Sequence, residues 1–163
     1  MRCAWYGPTI ASCQVKVMAA QVFWRAKTLQ EMTPDEWESL CDGCGKCCLH
    51  KLEDEDTGDV FYTRVACEYL DHDRCQCKNY THRQMLVPGC VVLTPDSVKE
   101  TYWLPDTCAY RLIAEGLPLF DWHPLVSGDP QSVHNAGMSV AGRVVAESAV
   151  AEEDLEDYVI RWV

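Results

Sequence analysis

Four cysteines fall within the eight residues "CDGCGKCC", and two glycines lie between them. Two thiolates three residues apart can bind one metal ion from a tight turn. A glycine after the second cysteine allows the positive φ that turns backbone N–H groups toward the sulfur atoms. A hydrophobic core does not need thiols at this density. The segment therefore predicts metal binding through Cys41, Cys44, Cys47 and Cys48.

The first three of these cysteines have the spacing C-x-x-C-x-x-C, with which bacterial ferredoxins bind a [4Fe–4S] cluster. The fourth ferredoxin cysteine, which precedes a proline, is absent here. Cys48 directly follows Cys47, and neighbouring side chains tend to diverge. We therefore expect Cys48 to serve a second metal, to bridge two metals, or to remain a surplus thiol that is available for redox chemistry.

The later cysteines can be ligands only if the fold brings them together. Eight of the nine cysteines between residues 41 and 108 could form two four-thiolate zinc sites, and all nine could form a three-zinc cluster with bridging thiolates. Alternatively, the ferredoxin-like triplet and one further cysteine could hold a [4Fe–4S] cluster. The expected cofactor is an iron–sulfur cluster or zinc, and the triplet spacing favours iron–sulfur. The remaining predicted metal ligands are Cys67, Cys75, Cys77, Cys90 and Cys108.

A second group of reactive side chains lies in "WHPLVSGDPQSVH". His123, Asp129 and His134 are residues of the kinds that perform acid–base or nucleophilic catalysis. The alternative function is therefore an enzyme that uses the 122–134 loop beside the cluster. In that case His123 and Asp129 should lie near a surplus thiol. The structural interpretation is that Asp129 caps a short helix on which His134 lies.

Two charged features beside the cluster have simpler interpretations. Lys46 could offset thiolate charge or could be exposed. The acidic segment 51–59 lacks the ligand spacing and the closing glutamate of an EF-hand loop, so it predicts a solvated turn.

The charge balance limits the partners. The 163 residues carry a formal net charge of -11, which disfavours direct contact with nucleic acid and with anionic membranes. No apolar run is long enough for a membrane span. The first residues match a secretory signal poorly, so we expect thiols at this density to serve cytoplasmic metal or redox chemistry rather than disulfides. We expect no nucleic acid and no membrane partner; a protein partner is left open.

The chain predicts a small, loop-rich α+β domain. Residues 1–20 are interpreted as an N-terminal extension that is either disordered or the result of a start codon assigned too early. Residues 21–163 are interpreted as a single cysteine-cluster domain. Thr33, Pro34 and Glu36 predict a capped helix start, and Thr94 with Pro95 predicts another. Further helices are expected over residues 106–115, stopped by a glycine, and over 129–137. Two β-branched segments, "MSVAGRVVAES" and "YVIRWV", predict a C-terminal β-hairpin.

These motifs also carry a resemblance. "FWRAKTLQEMTPDEWESLCDGCGKCCLHKLEDEDTG" resembles the start of the bacterial YcgN-like proteins, which are members of the YkgJ-type family named for C-x-x-C-x-x-C-C. The similarity continues through "VACEYLDHDRCQCKNY", "VPGCVVLTPD", "LPDTCAYRL" and "WHPLVSGDP", from Phe23 to the C-terminus. The resemblance implies zinc or iron at Cys41, Cys44, Cys47 and Cys48 and a cytosolic location. It implies no particular reaction.

Overall fold

Short helices and long loops surround a small sheet in the computed structural model, which describes residues 22–163. The prediction for residues 1–20 lies outside the described residues. The architecture agrees with the predicted loop-rich α+β class. None of the helices in the described range has the length and apolar character needed to cross a bilayer. The α-helices are α1 Phe23–Ala26, α2 Pro34–Glu38, α3 Arg83–Leu86, α4 Ala109–Ala114, α5 Pro124–Ser127 and α6 Ser132–Asn135.

Helix α2 begins with the predicted capping box. The Thr33 hydroxyl accepts a hydrogen bond from the Glu36 N–H at 3.3 Å, and the Glu36 carboxylate accepts one from the Thr33 N–H at 2.8 Å. Pro34 occupies the first helical position, where a missing N–H costs nothing. This local prediction is confirmed, and the helix leads directly into the cysteine-rich segment.

The other predicted helices form, but they are shorter than expected. Helix α4 covers six residues of the expected 106–115, and Gly116 follows it with φ +73°. Helix α6 is preceded by Asp129, whose carboxylate accepts a hydrogen bond from the Gln131 N–H at 2.8 Å. Thr94 caps a turn through the Ser97 N–H at 3.1 Å, but only a short 3-10 helix follows. The 3-10 segments are Leu29–Glu31, Lys46–Cys48, Tyr80–His82, Val98–Glu100, Glu147–Ala149 and Glu152–Tyr158.

The sheet is built on a hairpin that directly follows the cysteine-rich segment. Strand β1 (Leu49–Glu53) pairs antiparallel with β2 (Val60–Ala66), and the acidic residues between them form the turn. The Asp54 carboxylate accepts hydrogen bonds from the N–H groups of Asp56 and Thr57, both at 2.9 Å. The expectation of an acidic turn is therefore confirmed, although the sequence did not predict the strands on either side.

The predicted C-terminal hairpin is wrong. In this part of the chain only β3 (Val145–Ala146) forms a strand, and it pairs in parallel with β2 rather than with a following strand. Val159 makes one isolated antiparallel bridge with Thr63, also on β2. The β-branched residues of this region pack against the earlier hairpin, which is a non-local pairing that a local sequence pattern does not specify.

Two hydrophobic cores lie on either side of the cysteine-rich segment 41–48. Leu40, directly before it, is fully buried in the first core, and Leu49, directly after it, is buried in the second. The segment therefore connects the two cores through only eight residues. The first core contains Leu29, Leu40, Val98, Ala109, Tyr110, Leu112 and Leu119; the second contains Leu49, Ala66, Leu70, Cys75 and Val140.

Candidate metal centre

The cysteine-rich segment is a tight turn built on two glycines with left-handed backbone. Gly45 has φ +76°, as predicted for the glycine after the second cysteine, and Gly43 also has a positive φ of +72°. A Cβ atom on Gly45 would lie 2.8 Å from Cγ2 of Val140 and 3.4 Å from Sγ of Cys75. Glycine is therefore required at position 45 for its conformation and for the close approach of the neighbouring chain. Cys41, Cys44 and Cys47 therefore all lie on one tightly turned backbone segment.

The residue before Cys47 contacts the residue before Cys108. The ammonium group of Lys46 donates a hydrogen bond to the Thr107 hydroxyl at 3.2 Å, and Lys46 is only 1% exposed. The alternative of an exposed Lys46 is therefore wrong. Cys108 follows Thr107 and is the residue that precedes α4.

The charges of these thiols affect one another. Burial raises the pKa of Cys41 to about 12, and the charges of Cys47 and Cys108 act in the same direction. Burial likewise raises the pKa of Cys108 to about 11, with a contribution from Cys47. Cys44 is surrounded by protein, and burial raises its pKa well above the usual range. Cys41 and Cys47 retain exposed surface, but protein atoms crowd their sulfur atoms closely enough to remove much of the hydration.

Asp42 is a buried carboxylate that the prediction of site residues missed. Its Oδ1 atom accepts a hydrogen bond from the Cys44 N–H at 2.9 Å, whereas its Oδ2 atom is buried without a hydrogen-bond partner. Its negative charge opposes ionisation of four thiols: it adds to the raised pKa of Cys41, Cys44 and Cys108 and acts against the lowered pKa of Cys47. The hydrogen bond from Cys44 to Asp42 could have been predicted, because an aspartate two residues before the donating N–H is typical of an Asx turn.

Cys47 and Cys48 do not diverge as expected. Their sulfur atoms lie 4.0 Å apart. The hydrogen bond between the Cys47 and Cys48 thiols lowers the pKa of Cys47 to about 7 against the opposing effect of burial, and the Lys51 ammonium group acts with it. The same hydrogen bond raises the pKa of Cys48. Lys51 is fixed there by hydrogen bonds to the carbonyl groups of Cys47 at 3.0 Å and Leu49 at 2.7 Å.

The remaining predicted ligands approach from the end of the hairpin and the loops after it. Cys67 directly follows β2, and its N–H donates a hydrogen bond to the Cys48 carbonyl at 3.0 Å. Cys77 forms an isolated bridge with Leu70, and Cys90 lies in the loop after α3. Cys75 is 6% exposed and packs in the second core. All nine cysteines in residues 22–163 are free thiols.

The candidate catalytic residues mainly support the fold. His123 is 1% exposed, its Nε2–H donates to the Leu40 carbonyl at 3.1 Å, and its Nδ1 atom accepts from the Leu125 N–H at 3.1 Å. Asp129 is exposed and caps the turn before α6, and His134 hydrogen bonds through Nδ1 to the Ser139 hydroxyl at 2.8 Å. A catalytic role for these three residues stays a prediction.

The donor set fits zinc or iron, because thiolates are the usual protein ligands of structural zinc and of iron–sulfur clusters. The buried Asp42 oxygen without a partner adds an unsatisfied acceptor beside four of these thiols. Within residues 22–163, however, no three side chains of cysteine, histidine, aspartate or glutamate already form a ready-made metal site.

Comparison with known proteins agrees with this donor set. Residues 40–109 match a family model described as "CxxCxxCC: Putative zinc- or iron-chelating domain". This range contains all nine cysteines described above. No solved structure matches the chain.

Full-length relatives extend the similarity beyond that domain. A UPF0260 protein of Cellvibrio japonicus is 76% identical over 90% of this chain and 100% of its own length. UPF0260 proteins of Sinorhizobium fredii and Marinobacter nauticus are 59% and 60% identical over 89% and 90% of this chain, and over 94% and 99% of their own lengths. The chain therefore belongs to the UPF0260 family of proteins with a CxxCxxCC domain.

Proposed function

We propose that this protein is a cytosolic metal-binding protein whose primary centre uses Cys41, Cys44, Cys47 and Cys108. The metal would be iron, in an iron–sulfur cluster, or zinc. The observation that carries the proposal is the hydrogen bond between Lys46 and Thr107, because it joins the residue before Cys108 to a residue of the cysteine-rich segment. Cys108 then supplies the fourth thiolate that the ferredoxin-like spacing lacks.

The electrostatics of the four thiols support a bound cation. Burial and mutual repulsion raise the pKa of Cys41, Cys44 and Cys108, so in the metal-free protein these groups hold protons at neutral pH. A metal ion can replace those protons and neutralise thiolate charge that the interior does not tolerate alone. Lys46 adds a buried positive charge close to the centre.

The role of the centre is structural or redox-sensing. When bound, zinc would crosslink the turn to the loop before α4, and an iron–sulfur cluster would also accept and donate single electrons. An enzyme that uses the 122–134 loop is less well supported, because both ring nitrogens of His123 form hydrogen bonds to the backbone.

Elemental analysis and absorption spectroscopy of protein purified without oxygen test the proposal. Brown protein with sulfide-to-iron charge-transfer bands and acid-labile sulfide would identify an iron–sulfur cluster. Colourless protein with bound zinc would identify a zinc centre. Protein that remains folded after anaerobic purification but contains neither metal would refute the proposal.

The Cys108→Ser variant tests the fourth ligand. We expect it to lose the metal of the primary centre, or to bind it much more weakly. The matched control is Cys75→Ser, because Cys75 is also in the matched domain but is buried in the second core. Equal metal content in wild type and Cys108→Ser would show that Cys108 is not a ligand.

A further inference from the structure

A cleft of about 580 Å³ lies beside the first core. It is formed by the segment 24–30, which begins in α1, and by the segment 113–118, which begins in α4. Clefts of about 300–1,000 Å³ are typical sites for small molecules. Among the described residues no cysteine lines this cleft, so it is a feature separate from the candidate metal centre.

Apolar side chains form the less exposed part of the cleft. Leu29 is buried in the first core, and Trp24, Ile113 and Ala114 are half-buried and pack against that core. Leu117 also lines the cleft and is 49% exposed. The apolar body of a bound molecule would remove this surface from water, which is favourable in proportion to the area covered.

Positive charge lies at the exposed part of the cleft. Arg25 and Lys99 are exposed lining residues, and neither forms an ion pair within residues 22–163. Lys27 also lines the cleft, but its ammonium group donates to both carboxylate oxygens of Glu36, at 2.6 and 2.8 Å. No aspartate or glutamate of the described chain lines the cleft. This local excess of cations contrasts with the whole sequence, in which 25 acidic residues outnumber 14 basic ones.

The charge of the cleft selects the charge of its ligand. A cationic molecule would be repelled by Arg25 and Lys99, whereas an anion would pair with them. The net charge of -11 on the chain disfavours highly charged anions, so a single negative charge fits better than two. A guanidinium group also matches the planar shape of a carboxylate and can donate two parallel hydrogen bonds to it.

We propose that this cleft binds a small carboxylic acid with an apolar body. The carboxylate pairs with Arg25 and Lys99, and the apolar body lies against Trp24 and Ile113. The proposal does not depend on metal binding. Because the ligand binds the folded protein beside the first core, it should raise the melting temperature in proportion to its concentration and affinity.

Titration with octanoate tests the proposal on the full chain with its metal content unchanged. Nuclear magnetic resonance follows the indole N–H signals of the tryptophans, and the Trp24→Phe variant identifies the signal of Trp24. We expect saturable binding that shifts the Trp24 signal and raises the melting temperature. Acetate, which lacks the apolar body, and 1-octanol, which lacks the charge, should bind more weakly.

Exposed cations allow a pair of matched variants. The double variant Arg25→Gln with Lys99→Gln should weaken octanoate binding by about two- to thirtyfold, the effect of two ion pairs at an exposed surface, and should leave 1-octanol binding unchanged. The control is Arg64→Gln with Arg161→Gln, which removes the same charge from two exposed residues outside the cleft. We expect the control to bind octanoate like the wild type.

Leu117 provides a test that removes no cation. Leu117→Glu adds a carboxylate to the lining of the cleft and should abolish octanoate binding by repulsion. Leu117→Gln has almost the same size without the charge, so it should retain binding. Equal affinity of these two variants would contradict the assigned position of the carboxylate.

Three further results would overturn the proposal. The first is the absence of saturable octanoate binding to the folded protein. The second is binding that leaves the Trp24 signal unmoved, because the ligand then lies elsewhere. The third is octanoate affinity that equals that of 1-octanol or is unchanged in Arg25→Gln with Lys99→Gln, because the cleft then does not recognise the anion. Each of these results leaves the proposed metal centre unaffected, since metal content is measured separately.

Discussion

The buried ammonium group of Lys46 donates a hydrogen bond to the Thr107 hydroxyl at 3.2 Å, and each residue directly precedes a cysteine. This contact joins positions 61 residues apart in the sequence. It therefore joins the residue before Cys47 to the residue before Cys108, and it places a buried ammonium group between the two segments.

Replacing Lys46 with methionine should weaken metal binding. The methionine fills a similar volume but removes the charge that offsets the thiolates, and loss of an outer-shell partner typically costs about 10- to 100-fold in metal affinity. Chelator competition measures the change. Thr107→Val is the matched control, because it removes the hydrogen bond but keeps the charge, and we expect a smaller loss. Wild-type metal retention in Lys46→Met would show that the charge is unimportant.

Gly45→Ala should destabilise the fold more than Gly43→Ala. Both positions have left-handed backbone, where a Cβ atom costs roughly 1–2 kcal/mol. Only the alanine at position 45 would also approach Cγ2 of Val140 to 2.8 Å, whereas a Cβ atom at position 43 meets nothing within 4 Å. Chemical denaturation measures the free energy of unfolding of both variants. Equal losses would mean that the second core adapts without cost.

Mild acid should destabilise the protein through His123. Burial lowers its pKa below the usual value of about 6.5, so the folded protein keeps the ring neutral. The unfolded chain takes up a proton first, and stability is therefore lost as the pH falls from about 6.5 toward the lower pKa of the folded state.

Melting temperatures between pH 8 and pH 5 test this effect in wild type and in His123→Gln. We expect the variant to be less stable at pH 8 but to have the shallower pH dependence. Protonation of the cysteines affects both proteins, so the difference between their curves isolates His123. Parallel curves would show that His123 does not contribute to the pH dependence.

Cys47 should be the most reactive thiol of the metal-free, reduced protein at neutral pH. Its pKa of about 7 leaves a large thiolate fraction, whereas Cys41 with a pKa of about 12 stays protonated. Timed alkylation followed by peptide mapping measures the order. Lys51→Met should slow the labelling of Cys47, because the ammonium group helps to stabilise the thiolate. Faster labelling of Cys41 than of Cys47 would contradict the prediction.

Cys44→Ser should lower both expression and melting temperature sharply. Structural thiolate sites contribute on the order of 10 kcal/mol of apparent binding free energy in small zinc peptides, and this protein has short helices and long loops. Cys3→Ser and Cys13→Ser, at positions outside the described residues, should leave the melting temperature unchanged. Equal tolerance of serine at all three positions would argue against Cys44 as a ligand.

Local features of the fold could be predicted from the sequence, and non-local ones could not. The capping box of Thr33 and Glu36 needs only four residues, so its pattern is sufficient. Val145 and Val159 have equally clear β propensity. Their partners on β2 are Val65 and Thr63, which lie about 80 and 96 positions earlier in the sequence, so no local pattern identifies them. The sequence therefore indicated extended backbone near these positions, but it predicted the wrong pairing.

In the candidate site, too, local features could be predicted from the sequence and non-local ones could not. The turn from Cys41 to Cys48 could be predicted from spacing, including the left-handed conformation of Gly45. The approach of Cys108 depends on burial of Lys46, and lysine is rarely fully buried. Asp42 was missed because its importance comes from burial of a carboxylate oxygen, which no spacing reveals.

The positions of the two cores along the chain have a consequence for biosynthesis. The first core needs Leu119 and the second needs Val140, whereas the last cysteine is Cys108. Every cysteine is therefore synthesised before the residues that complete either core. If the chain binds metal as proposed, its thiols are open to metal ions and to oxidants while the chain is still unfolded.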